Sequence, residues 1–250
     1  MLNTTDLIIP DWPAPARVKA LFTTRAGGVS GPPHSSLNLG AHVGDKPGNV
    51  ADNRRRVRRL LPAEPVWLNQ VHGVNVVMAD VVASSADVVP EADASVTTAT
   101  KIPCAVLVAD CLPVLFCADD GSCVGAAHAG WRGLHSGVLE RTVKAMGVRP
   151  AKIIAWLGPA IGPNAFEVGP DVFEAFTSVA NDDASAFSLV AGRRGKYLAD
   201  IYALASLRLK RAGVHGIFGG QFCTVSEPAR FFSYRRDGKT GRMAGLVWLD

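Results

Sequence analysis

The sequence predicts a single α/β (α+β) domain with mixed β-sheets, on three observations. Short apolar runs of strand length alternate with segments of helical periodicity. Tight turns join some of those runs into hairpins, which a purely parallel sheet does not contain. The 250 residues, 48% apolar and 19% charged, supply one substantial core, with no internal repeat or linker to divide it. One domain is therefore expected over residues 1–250.

The elements follow in order. Residues 25–49 are rich in Gly, Ser, Pro, Asn and His and supply little core; such loops on a rigid scaffold often carry sites. Residues 49–61 read as a helix, with Asp52 as N-cap, Val57 and Leu60 or Leu61 as the apolar stripe, and Pro62 as the stop. Strands are expected over residues 66–71 and 74–79, punctuated by His72-Gly73. Residues 105–109 form an apolar strand, and residues 112–117 and 123–127 two more, joined through Asp119-Asp120-Gly121. A helix over residues 131–146 carries Leu134, Val138, Val143 and Met146 on one side and ends at Gly147. Residues 153–157 are a buried strand, and residues 171–179 and 201–212 are helices, the second ended by Gly213. Strands near Ile217 and over residues 246–249 close the chain.

Composition narrows the function classes. Five cysteines, an odd number clustered in strand-like segments, argue for a reducing compartment and hence a cytoplasmic protein. The N-terminus lacks a basic region followed by a long apolar stretch, so it does not read as a signal peptide. The apolar runs are too short to span a bilayer, so no membrane role is expected. With 7% aromatic residues and no nucleic-acid module, no nucleic-acid partner is expected either. The net charge of +4 reads mainly as solvated helix face, with attraction of anionic substrates as the functional alternative. Oligomeric state has no signature in the sequence.

The middle of the chain carries the chemistry. A two-residue loop flanked by Ala118 and Gly121 sets Cys111 opposite His128, and one flanked by Asp119 and Ser122 makes them diagonal neighbours. Both keep the two side chains on one sheet face. A thiolate and an imidazole at the open end of a hairpin can share a metal or act as nucleophile and base; a buried Cys beside a structural His is the plainer alternative. His72, ending a strand before a Gly turn, can project over a sheet edge. His34, His42, His135 and His215 compete with it, and spacing does not choose among them. In His128-Ala129-Gly130-Trp131-Arg132-Gly133 a strand opens into a helix, where Arg132 in the first turn would complement phosphate or carboxylate. The alternative is that the glycines serve tight packing.

Several motifs occur together in order. They are Thr24-Arg25-Ala26-Gly27-Gly28, Asn69-Gln70-Val71-His72-Gly73, Ala109-Asp110-Cys111-Leu112-Pro113, His128-Ala129-Gly130-Trp131-Arg132-Gly133 and Gly158-Pro159-Ala160-Ile161-Gly162. Phe166-Glu167-Val168-Gly169, Cys223-Thr224, Phe232-Ser233-Tyr234-Arg235-Arg236 and Thr240-Gly241-Arg242-Met243 follow. The set resembles the YfiH/YlmD family, also called the polyphenol oxidase or laccase-domain family, over nearly the whole chain. The resemblance implies mixed sheets sandwiched by helices in one domain. It implies a zinc site of His72, Cys111 and His128, with Cys111 and His128 also the catalytic candidates. It further implies a purine nucleoside phosphorylase acting on adenosine, inosine and methylthioadenosine, with adenosine deamination or peptidoglycan-precursor editing as other family activities.

A zinc held by three protein ligands keeps a position open for chemistry. Phosphate is then expected near Arg25 or Arg132. Gln70, which shares strand parity with His72, and Asn38, in the early loop, are candidates for contacts with the nucleoside. Asp110 is expected to point away. The alternatives are a metal-free cysteine hydrolase or deamidase using Cys111 and His128, and a binding protein whose zinc is closed by a fourth ligand. A copper polyphenol oxidase is the weaker alternative, because six scattered histidines cannot fill a multicopper set, although a His₂Cys site could accept copper.

Overall fold

The computed structural model describes residues 2, 6–85 and 89–250. Two short strands, β1 (Leu7–Ile8) and β2 (Val18–Thr23), precede a long irregular segment and helix α1 (Pro47–Arg58). Strand β3 (Val76–Met78) runs directly into α2 (Ala79–Ser84) and is followed by β4 (Ala94–Thr97) and β5 (Cys104–Val108). The hairpin is β6 (Leu112–Ala118) and β7 (Val124–Ala129), leading into α3 (Trp131–Ser136) and α4 (Val138–Ala145). Strand β8 (Ile153–Leu157), β9 (Glu167–Val168) and α5 (Pro170–Thr177) come next, then β10 (Phe187–Leu189) and β11 (Tyr197–Ala199). Helix α6 (Ile201–Arg211), β12 (Gly216–Gly219), α7 (Tyr234–Asp237) and β13 (Met243–Leu249) complete the chain.

The strands form a six-stranded sheet in the order β12-β8-β6-β7-β4-β3, a four-stranded sheet β1-β2-β13-β5 and a small sheet β10-β11-β9. In the largest sheet β12 runs parallel to β8 and β3 parallel to β4, while the β6 and β7 pairings are antiparallel. The mixed-sheet expectation therefore holds. Alternating side chains of the same strands feed different core layers. Val114 and Phe116 of β6 face the helices, while Leu115 and Cys117 face the four-stranded sheet with Trp156, Val106 and Val247. The outer face of the four-stranded sheet is covered by Leu37, Leu39 and Val57 from the irregular segment and α1. Two sheets packed face to face, with helices outside each, are the sandwich expected from the family resemblance.

Several expectations need correcting. The first helix begins earlier than residue 49, because Pro47 sets the helical φ of its opening turn; Lys46 is the N-cap, and Asp52 sits inside the helix paired with Arg55. It ends at Arg58, before Pro62 is reached. The strand expected over residues 66–71 is reduced to isolated bridges at Val66 and Asn69. Gln70 is the reason: its side-chain amide bonds both the N–H and the C=O of Leu107, taking over what a ladder would supply. The helix expected over residues 131–146 is two helices, because Gly137 adopts φ 97° between them. Strands β2, β4 and β9 to β11 had no clear periodic signal and were not anticipated.

Candidate metal centre

The β6–β7 register places Pro113 opposite His128 and Cys117 opposite Val124, so Cys111, two residues before Pro113, is the diagonal neighbour of His128. This is one of the two registers the hairpin allowed, and it keeps both side chains on one face. Cys111 lies just before β6, at a corner where Asp110 has φ 87°. The Asp110 carboxylate points away, as expected, accepting from Thr224 Oγ1 at 2.5 Å and from the Arg235 backbone N–H at 2.6 Å. Those two bonds fix the corner and thereby the position of Cys111.

His72 also sits in left-handed backbone, at φ 61°. Its turn wraps around buried Asp93, the residue just before β4. The N–H groups of Val71, His72 and Gly73 donate to the Asp93 carboxylate at 3.2, 2.9 and 2.7 Å. His128 Nδ1 donates to the same carboxylate at 2.8 Å, which leaves its Nε2 lone pair free as a donor to a metal. Gly130 leaves room for the meeting: a Cβ there would lie 2.6 Å from His72 Cδ2 and 3.0 Å from Cys111 Sγ.

The three donor atoms of His72, Cys111 and His128 lie within 4.8 Å of one another, and among the described residues they are the one such group of His, Cys, Asp or Glu. The His72 and His128 rings meet edge to face with centroids 4.8 Å apart. Cys111 Sγ is 3.6 Å from His72 Nε2. Tetrahedral zinc with ordinary Zn–S and Zn–N bonds would separate those two atoms by about 3.6 Å. The residues present therefore fit a zinc ion, with no fourth protein donor in the group.

Electrostatics set these groups apart. Burial pushes the thiols of Cys104 and Cys117 up to about 12 and that of Cys123 to about 11, as befits cysteines packed in the core. At Cys111 burial pushes the same way, but His128 and His72 outweigh it and hold the thiol well below its ordinary value. Burial would lower the His128 imidazole, yet Cys111 and Asp93 raise it. Burial would likewise raise Asp93, which its bonds from His128, Gly73 and Val71 hold down. Without metal these interactions favour a thiolate beside an imidazolium; with metal the site would offer a deprotonated sulfur and an oriented imidazole.

Two cavities flank the donor set and meet at His72, Ala109, Cys111 and Tyr234. One, of about 240 Å³, is walled by Trp131, Phe166, Ile161 and Ile201, with Arg132 and Arg235 at its edge. The other, of about 350 Å³, is lined by His42, Gln70 and Arg242 beside the ligands. Of the expected substrate contacts, Arg132 reaches the first cavity, its guanidinium 4.5 Å above the Trp131 ring. Gln70 edges the second, but its amide is engaged by Leu107. Arg25 lines neither, donating instead to the carbonyls of Ser35 and Pro228. Asn38 is fully buried, bonded to Gly40, Asp45 and the Arg242 backbone. Of the competing histidines, His34 bonds the Val43 carbonyl and His135 packs on Phe176. Sequence reasoning missed Asp93, Tyr234 and Arg242. Asp93 had no local signal, since its partners come from the distant turn at residues 71–73 and from His128; Tyr234 and Arg242 lay within the motifs named above.

Residues 19–250 match the family described as Multi-copper polyphenol oxidoreductase laccase. A purine nucleoside phosphorylase of Pseudomonas aeruginosa is 54% identical over 243 residues, covering 97% of this chain and 98% of its own. The Escherichia coli purine nucleoside phosphorylase YfiH is 54% identical over 245 residues, with 97% and 98% covered. The crystal structure of a Neisseria meningitidis protein superposes with a TM-score of 0.93 at 55% identity, covering 98% and 99% of the two chains. That of YlmD from Geobacillus stearothermophilus does so at 0.90 and 32% identity, covering 100% and 98%.

Proposed function

The chain belongs to the Multi-copper polyphenol oxidoreductase laccase family, and we propose that within it this protein is a zinc-dependent purine nucleoside phosphorylase. Adenosine, inosine and methylthioadenosine are its substrates on this reading, with adenosine deamination as a side activity. The observation that carries it is the His72–Cys111–His128 donor set opening onto a cavity walled by Trp131 and Phe166. Such walls supply the stacking and apolar surface that a purine ring takes. Relatives that bear the name purine nucleoside phosphorylase at 54% identity support it.

One thiolate and two imidazoles suit zinc, which when bound supplies Lewis-acid polarisation at its open position. Cys111, His72 and His128 would hold it, and Asp93 fixes the tautomer of His128 and the backbone of His72. Trp131 and Phe166 orient the base, with Arg132 at the cavity edge. In phosphorolysis a phosphate oxygen bonds the anomeric carbon and the carbon–nitrogen bond breaks. The electron pair leaves with the purine, which takes up a proton, giving free base and ribose 1-phosphate. In deamination water adds to the ring carbon that bears the amino group, and ammonia leaves. With its cysteines free, the protein fits the reducing cytoplasm.

A second reading has an observation of its own. Asp93, His128 and Cys111 form the carboxylate–imidazole–thiol order of a cysteine hydrolase, and the depressed Cys111 thiol suits a nucleophile. Copper oxidation of phenols is less favoured, since electron relay to oxygen needs several coppers and the described residues gather one donor group.

The test is metal analysis of protein purified without added copper, with the same sample assayed on adenosine, inosine and methylthioadenosine with and without phosphate. About one zinc per chain, and phosphate-dependent adenine release lost in Cys111→Ala, supports the phosphorylase. Metal-free protein that turns over moves the case to the cysteine nucleophile. Zinc without turnover of any of the three nucleosides overturns the proposal and points to another sugar-bearing substrate, such as a peptidoglycan precursor.

A further inference from the structure

The second cavity has a chemistry that the aromatic one lacks. Its wall holds His42 and Arg242 and no carboxylate, and it continues into an opening where Lys239 joins them. Arg242 makes no ion pair among the described residues. Its Nη1 donates to the carbonyls of Thr240 and Gly241 at 3.1 and 3.0 Å, and the other guanidinium nitrogens carry no bond among the described residues. The anionic groups that act on it are the Cys111 thiol, itself in the donor set, and Asp110, whose carboxylate is already bonded to Thr224 and Arg235. A half-buried arginine with free donors, facing a cavity without carboxylates, is matched to an anion.

The arginine is also rigidly mounted. Asn38 Oδ1 accepts from the backbone N–H groups of Arg242 and Gly40, both at 2.9 Å. Leu39 N donates to the Arg242 carbonyl at 3.0 Å. Gly40 lies so close that a Cβ there would be 2.7 Å from Arg242 Cγ. Preorganisation of this kind lowers the ordering cost of binding.

We propose that Arg242, with His42 and Lys239, forms the phosphate subsite, across the donor set from the aromatic cavity. This rests on the phosphorylase reading and deepens it. A ribose at the junction of the two cavities, beside Cys111 and Tyr234, then has its base on one side and the attacking phosphate on the other, as displacement at the anomeric carbon requires. Arg132 belongs to the base side, and Arg25 to neither. Asn38, buried and bonded to the Arg242 backbone, acts as a positioning residue for that arginine.

The test is calorimetric titration of inorganic phosphate into zinc-loaded wild type, Arg242→Gln, Arg242→Lys and Arg132→Gln, with KM for phosphate and for adenosine measured in parallel. Arg242→Gln is expected to weaken phosphate binding by about tenfold or more, the loss typical of a hydrogen bond to a charged group. Its KM for phosphate rises while KM for adenosine stays, and Arg242→Lys recovers part of the loss by restoring charge without the fork. Unchanged phosphate affinity in Arg242→Gln, or loss in Arg132→Gln instead, overturns the assignment and leaves phosphorolysis standing. Should Arg242→Gln lose zinc, His42→Ala decides: weaker phosphate binding with zinc retained supports the subsite, and unchanged binding overturns it. Phosphate bound through Arg242 without adenine release supports the subsite and overturns the phosphorylase reading alone.

Discussion

Oδ1 of Asp93 lies 2.8 Å from Nδ1 of His128 and 2.9 Å from the backbone nitrogen of His72, so one carboxylate oxygen orients both histidines of the candidate site. Its other oxygen takes the N–H of Gly73 and of Val71. Asp93→Asn replaces one acceptor with a donor that faces only N–H groups. We expect metal affinity to fall about 10–100-fold, the loss typical when the partner of a ligating histidine is removed. Competition with a chelator of known affinity measures it; affinity equal to wild type would assign Asp93 to the fold alone.

Gly130 makes a separate test of how tightly the donors are packed. Its φ is −62°, which any residue adopts, so an added methyl group has a purely steric effect. That methyl would lie 2.6 Å from His72 Cδ2 and must displace the ring. We expect Gly130→Ala to keep the fold by circular dichroism and to lose metal affinity by about tenfold or more, on the scale of other disturbances to ligand orientation. Full affinity would mean that His72 is free to move aside and is not fixed by its turn.

The paired titration of Cys111 and His128 has a readable pH window. In the metal-free protein the thiol falls to about 6 and the imidazole rises to about 9, burial being outweighed by the partner in both cases. The thiolate's contribution to stability is full above its ordinary value and is lost as pH falls through about 6. The imidazolium's is full below its own ordinary value and is lost as pH rises through about 9. Iodoacetamide should therefore alkylate Cys111 with a midpoint near pH 6, and His128→Ala should move that midpoint upward. A midpoint at the ordinary thiol value in wild type would exclude the ion pair.

The hairpin that carries Cys111 and His128 was legible because the Asp119-Asp120-Gly121 turn marks a short loop, and either even loop length keeps the two side chains on one face; the register shows that the loop is even. Strands β5, β6, β8 and β13 were legible as short continuous apolar runs, buried on both faces. Asp93 was not. It precedes a strand of four small or polar-edged residues, Ala94 to Thr97, and its partners come from residues 71–73 and 128, which no sequence period connects. Arg25 and Asn38 illustrate the converse. Both sit in a loop whose composition suggested a site, yet the loop folds inward, and their polar atoms are engaged by its own backbone and by neighbouring segments. Composition marks a loop as irregular without indicating which way its side chains face.

The break between α3 and α4 gives a last test, because its sign distinguishes two structures. Were residues 131–146 one continuous helix, Gly137→Ala would stabilise the protein by roughly 1 kcal/mol through helix propensity. In the structure Gly137 has φ 97°, where a Cβ meets its own following carbonyl, and the cost is about 1–2 kcal/mol. The surroundings do not add to it, since the nearest atom to that Cβ, Glu140 Oε2, is at an ordinary 3.5 Å. Urea unfolding of Gly137→Ala should therefore show a lower midpoint with an unchanged slope. Metal binding should persist, since Trp131 to Ser136 stays docked through buried Leu134 and the hairpin is untouched. A raised midpoint would mean that the two helices join in solution as one continuous helix.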